Sequence, residues 1–279
     1  MAKSKNGPND GQEPRGEMSF FEHLEELRWR IIRSVVAVLV IAIAAFIFKG
    51  FIFDDIIFRV KAPDFWSNRM FGKLAELIGT DEIRINTTDL KLQSLEMASQ
   101  FQAHIWCSLI AGLIVAFPYV IYQIWQFISP ALYEKERKYS TGAVFYISLL
   151  FIIGVLFGYY MIAPLSVHFL GNYKISEAVE PNINFASYIK TVSSVVLATG
   201  LVFQLPVFVF FLSKIGVITP DVLKRYRRHA YVGLLILSAI ITPPDVWSQI
   251  LVCVPLIVLY EGGIFISRWV QKREEAANS

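Results

Sequence analysis

Long apolar runs separated by short charged stretches constrain this chain more than any other feature. Runs at 31–48, 101–128, 139–162, 189–212, 230–241 and 249–266 carry few charges. Backbone in hydrocarbon must satisfy its own hydrogen bonds, so such runs read as transmembrane helices. Apolar residues make up 55% of the 279, more than soluble domains hold even when glycine is counted with them. The expected fold is an all-α membrane protein of six transmembrane helices. The fifth run is short. A dozen residues at ~1.5 Å rise cover ~18 Å, against ~30 Å of hydrocarbon.

The ends and the first long connection are different. Residues 1–17 are polar and charged and are expected to be a disordered N-tail. Ser19-Phe20-Phe21-Glu22 has the form of a capping box, which marks a helix start. Phe21, Leu24, Leu27 and Ile31 then recur at helical spacing, with Glu22, His23, Glu26, Arg30 and Arg33 on the opposite face. An amphipathic helix therefore leads into the first span. That span ends in bulky Phe46, Ile47 and Phe48 without a small-residue cleavage site, so it reads as retained. Residues 49–100 are too charged to span, and Phe65 to Ile78 suggest a helix lying in the interface. The membrane domain is read as 18–268 and the charged C-tail as 269–279.

Orientation follows from basic residues. If the spans alternate, seventeen of the 26 Lys and Arg fall on the N-tail side and nine on the other. Both termini are therefore expected in the cytoplasm. The net charge of +3 is mild and its basic residues sit at span boundaries, which argues against a nucleic-acid partner. Cys107 and Cys253 lie inside apolar runs and read as small buried side chains. The four histidines fall in different segments, and no nucleophile set, metal-ligand spacing or phosphate loop is found. The chain is read as a non-enzyme without a cofactor.

What stands out is acid and amide in or beside the membrane. Glu26 and Glu136 both lie on the N-tail side amid basic residues. Glu26 and Arg30 form an i,i+4 pair that supports a helix by a few tenths of a kcal/mol. Alternatively, the two carboxylates together accept guanidinium groups, whose forks match carboxylates. Gln204 and Glu261 sit deeper in the fourth and sixth runs, where a carboxylate is a functional candidate or interhelical glue. A proton-coupled secondary transporter is the rival reading, since kinked spans with buried polar groups suit one. No internal repeat supports it.

Three patches carry a family resemblance. They are His23-Leu24-Glu25-Glu26-Leu27-Arg28-Trp29-Arg30, then Pro118 to Tyr133 with Gln123 and the following Glu136-Arg137, then Thr242-Pro243-Pro244-Asp245-Val246-Trp247-Ser248-Gln249 with Glu261-Gly262-Gly263 beyond. Together they resemble the TatC subunit of the twin-arginine protein translocase, over about 20–268. The resemblance implies six helices in a concave, glove-like arrangement with short fifth and sixth helices. It implies a receptor for signal peptides with two consecutive arginines, in the cell inner membrane, using the proton-motive force to export folded proteins. Its implied partners are single-span TatA- and TatB-type subunits, further copies of itself and membrane lipids. Signal-peptide contacts carry over to His23, Leu24, Glu26, Arg28, Gln123, Glu136 and Arg137. Partner-helix docking carries over to Gln204, Ala239, Thr242, Gln249 and Glu261. The chain departs from many relatives at Gln204, where they have Glu, and from some at Ala239, where they have Met.

Overall fold

The computed structural model describes residues 20–79, 85, 90–128, 140–174, 176, 182–242 and 246–278. Glu136, Arg137 and the Pro243-Pro244-Asp245 turn lie outside them, as does Ser19 of the capping box. The described chain is helical almost throughout. Its helices are α1 (Phe20–Ile47), α2 (Trp66–Ile78), α3 (Ser99–Ile128), α4 (Ser140–Phe157), α5 (Ala163–Asn172), α6 (Phe185–Val202), α7 (Leu205–Lys214), α8 (Pro220–Arg225), α9 (Arg227–Ile241) and α10 (Val246–Asn278). Six spans arise from α1, α3, α4 with α5, α6 with α7, α9 and α10, and they fit the concave six-helix arrangement. Among the described residues, five of the six are long and apolar enough to cross a bilayer, and α9 is the short one.

α1 and α3 lie side by side. Gly112 makes this possible, because a Cβ there would stand 2.8 Å from both Ala42 Cβ and the Val38 carbonyl oxygen. α4 packs on α6 in the same way. Gly154 faces Phe203, Gly158 faces Thr199, and Gly200 faces Phe151 and Val155. Small residues let helices approach where no hydrophobic effect drives them together. α10 packs against α7 and α9, and Ser213 Oγ donates to Ser267 Oγ at 2.7 Å across the buried α7–α10 contact.

Three boundaries differ from the sequence expectation. The third span does not stop at 162. A π-helical turn at Gly158–Ile162 leads directly into α5, which carries Pro164 in its first turn. There the missing N–H costs nothing, since first-turn donors have no intrahelical partner. The fourth span is a helix pair, broken at Phe203 and Gln204 and restarted with Pro206 in the first turn of α7. The sixth helix is longer than the resemblance implies. It runs 33 residues through Pro255 and on through the expected C-tail to Asn278.

The long first connection is built rather than loose. A π-helical segment, Phe51–Ile57, and a 3-10 turn, Phe58–Lys61, follow α1. Their irregular turns free carbonyls that side chains then collect. Tyr159 donates to the Ile56 carbonyl at 2.8 Å and Tyr188 to that of Ile57 at 2.7 Å. Asn68 Nδ2 donates to the Ala62 carbonyl at 2.8 Å. The expected interface helix is α2, with Phe71 and Ala75 buried and Trp66 and Leu77 exposed. A short parallel bridge pairs β1 (Leu92–Gln93) with β2 (Ile183–Asn184) at the same end.

Candidate functional site

The first half of α1 and the last turns of α3 bring six polar or aromatic side chains together. Their spacing explains why. Glu26 and Arg30 are one turn apart on α1, and Tyr122, Gln123, Gln126 and Phe127 share one face of α3. Arg30 donates through Nε to Glu26 Oε1 at 3.0 Å and through Nη2 to the same oxygen. Its Nη1 donates across the helix pair to Gln126 Oε1 at 2.6 Å. Gln126 Nε2 in turn donates to the Tyr122 hydroxyl. His23 stacks on Phe127 with ring centres 4.3 Å apart, which closes the outer end of the same contact.

The second carboxylate oxygen of Glu26 is the exception in this network. Oε2 is buried and has no hydrogen-bond partner among the described residues. A buried acceptor without a donor costs about 1–3 kcal/mol, and more when charged. This oxygen is therefore a standing demand for a donor. Gln123 adds a second, since its Nε2 donates to Tyr119 at 2.7 Å while its buried Oε1 has no partner among the described residues. Leu24 is exposed beside this wall, and Arg28 is exposed as well.

The five residues expected to dock a partner helix are not one cluster. Glu261 is held within the chain. Arg227 Nη2 donates to its Oε2 at 2.7 Å, and the Tyr231 hydroxyl donates to its Oε1 at 2.6 Å. Gln249 Nε2 donates to the Leu235 carbonyl at 3.2 Å and ties α10 to α9. Thr242 is buried and donates to the Ser238 carbonyl at 2.8 Å. Ala239 is exposed on α9, along with Val232, Leu235, Ile236 and Ile240. Gln204 is buried at the α6–α7 break, and neither amide atom has a partner among the described residues.

Sequence reasoning missed the partners rather than the carboxylates. Arg227 and Tyr231 are an i,i+4 pair on the helix facing Glu261, and an intramembrane carboxylate calls for such a partner. Gln126 and Tyr122 carry the same spacing on α3, four residues apart. Among the described residues no group of three or more metal-ligating side chains is found.

Residues 22–255 match the family described as Sec-independent protein translocase protein (TatC). The chain is 39% identical over 262 residues to the Sec-independent protein translocase protein TatC of Blattabacterium sp. subsp. Periplaneta americana, covering 93% of this chain and 98% of that one. It is 34% identical over 247 residues to the TatC of Escherichia coli strain K12, with 88% and 87% covered. Among solved structures, a crystal structure described as the twin arginine translocase receptor TatC superposes with a TM-score of 0.63 at 33% identity. It covers 90% of this chain and all of that one. These relatives are named as components of a transport machinery, not as enzymes.

Proposed function

Because the chain belongs to the TatC family of Sec-independent protein translocases, we propose that it is the receptor for twin-arginine signal peptides. The observation that carries this reading is Glu26 Oε2, a buried carboxylate oxygen left without a donor among the described residues. A guanidinium is the side chain best suited to fill it. It is planar, always charged and weakly hydrated, so it enters a half-buried acceptor at lower desolvation cost than an ammonium. Glu136 lies outside the described residues and is the second acceptor in this reading, so that two consecutive arginines meet two carboxylates. His23, Leu24, Gln123, Arg28 and Arg137 form the surrounding surface for the peptide.

The excess of basic residues at the N-tail side puts this wall at the cytoplasmic face of the inner membrane, with both termini inside. Signal peptides arrive there before export. Folded cargo then leaves with the proton-motive force as energy source, in a complex with single-span TatA- and TatB-type subunits and further copies of this chain. The docking face for a single-span helix is the exposed stripe of α9 around Ala239, beside Thr242 and Gln249. α9 has 15 residues, about 22 Å at ~1.5 Å per residue. The bilayer must thin there or a partner must cover its outer end.

Photo-crosslinking from position 24 or 28 tests the receptor reading. Membranes carrying this chain should yield a crosslink to a twin-arginine signal peptide and far less to its Lys-Lys counterpart. Equal yields for both peptides, or none for either, would overturn it.

A further inference from the structure

The unpartnered oxygen of Glu26 needs an explanation of its own, because the chain already holds a guanidinium within reach. Arg30 sits one helical turn away and points at the carboxylate. A fork left to itself engages both carboxylate oxygens, one N–H to each, since that arrangement makes two parallel charge-assisted bonds. Here it does not. Nε and Nη2 both crowd onto Oε1, and Nη1 is spent on Gln126 Oε1 at 2.6 Å. The carboxamide of Gln126 is oriented by its other end, since Nε2 donates to the Tyr122 hydroxyl. The contact reaches from α1 to α3, and those helices are fixed against each other by the close approach at Gly112.

We propose that Gln126 is a specificity-determining positioning residue: by anchoring Arg30 from α3 it confines that guanidinium to one oxygen of Glu26 and keeps the other open for an incoming arginine. The inference rests on the receptor reading and deepens it. Arg30 acts in two ways in this arrangement. It occupies one oxygen of the half-buried carboxylate while the site is empty, and its remaining charge selects what enters beside it. A second guanidinium adds in-plane donors to a defined oxygen. An ammonium is a compact, strongly hydrated point charge with no fork, and it meets the repulsion of Arg30 with less in return. Without Gln126, Arg30 swings onto both oxygens and competes with the peptide from inside the chain.

The test uses the purified full-length chain, with equilibrium binding of a synthetic twin-arginine peptide and its Lys-Lys counterpart. Gln126→Leu should weaken the twin-arginine peptide about three- to tenfold and leave the Lys-Lys peptide nearly unchanged, so that discrimination falls. Gln126→Glu still accepts from Arg30 and should bind at least as well as the parent. In an Arg30→Gln background, Gln126→Leu should have no further effect, because the competitor is gone. A purely structural role for Gln126 would instead weaken both peptides, and would do so with or without Arg30. Glu26→Gln, measured alongside, separates the two ideas. Binding lost in Glu26→Gln but retained in Gln126→Leu, or lost equally in Gln126→Leu and Gln126→Glu, overturns this inference and leaves the receptor reading standing. Binding retained in Glu26→Gln overturns both.

Discussion

Two Arg–Glu pairs sit at the same end of the helix bundle and are built in opposite ways. At the α9–α10 corner, Glu261 has a donor on each oxygen, Arg227 on one and Tyr231 on the other. At the α1–α3 wall, Glu26 has two donors on one oxygen and none on the other among the described residues. The first pair bridges two helices and is complete. The second bridges them only through Gln126 and is incomplete. A carboxylate whose hydrogen bonds are all made braces a structure, whereas one held half-made is ready for a ligand. The resemblance implies a binding role for both residues, and their hydrogen bonding differs.

Gly112→Leu should be the most damaging change, because the backbone carbonyl of Val38 at 2.8 Å from the new Cβ cannot yield. Pushing α1 off α3 should cost about 3 kcal/mol and abolish twin-arginine peptide binding together with the α1–α3 network. A melt in detergent and a peptide titration would read it. A stable variant that binds normally would mean that the wall does not depend on this helix contact.

Arg227→Leu should act more weakly and on stability alone. Arg227 and Glu261 are both more than a third exposed, so the pair is screened and worth about 0.5–1 kcal/mol. The expected result is a modestly lower Tm with unchanged peptide binding. A loss of peptide binding would show that the two corners are coupled. Gln249→Leu should have the smallest effect on the fold, about 0.6 kcal/mol for one interhelical bond in a membrane. It should reduce crosslinking between this face and a single-span partner while peptide binding persists. Unchanged crosslinking would remove Gln249 from the docking surface.

The spans were legible because hydropathy reports what the bilayer demands of every backbone group. The helix that leads into the first span, the presence of helix α2 and the short α9 were legible for the same kind of reason. What was not legible turned on proline. The third run ends at 162, ahead of Pro164, and the fourth runs through Pro206 without a break, whereas in the structure each of these prolines sits where a new helix begins. Pro255 sits inside a helix that simply continues. Local sequence does not say whether a neighbouring helix or a π-turn will absorb the lost hydrogen bond. Of the candidate site, Glu26 with Arg30 was visible as an i,i+4 pair. Gln126 was not, because its contact joins residues 96 positions apart. Pairings between helices depend on how the helices rotate against each other, which the pattern along one helix does not encode.

The central claim is that the open oxygen at Glu26, not acidity at this end of the bundle, makes the receptor. The direct test is a titration of twin-arginine peptide against the parent, Glu26→Gln and Glu261→Gln, each checked for an intact fold by its melt. A charge-assisted bond of ~1.5–3 kcal/mol corresponds to about tenfold or more in Kd. Glu26→Gln should therefore bind at least about tenfold more weakly, while Glu261→Gln binds as the parent does and only melts earlier. Equal losses in the two variants, or a Glu26→Gln protein that binds like the parent, would contradict the account.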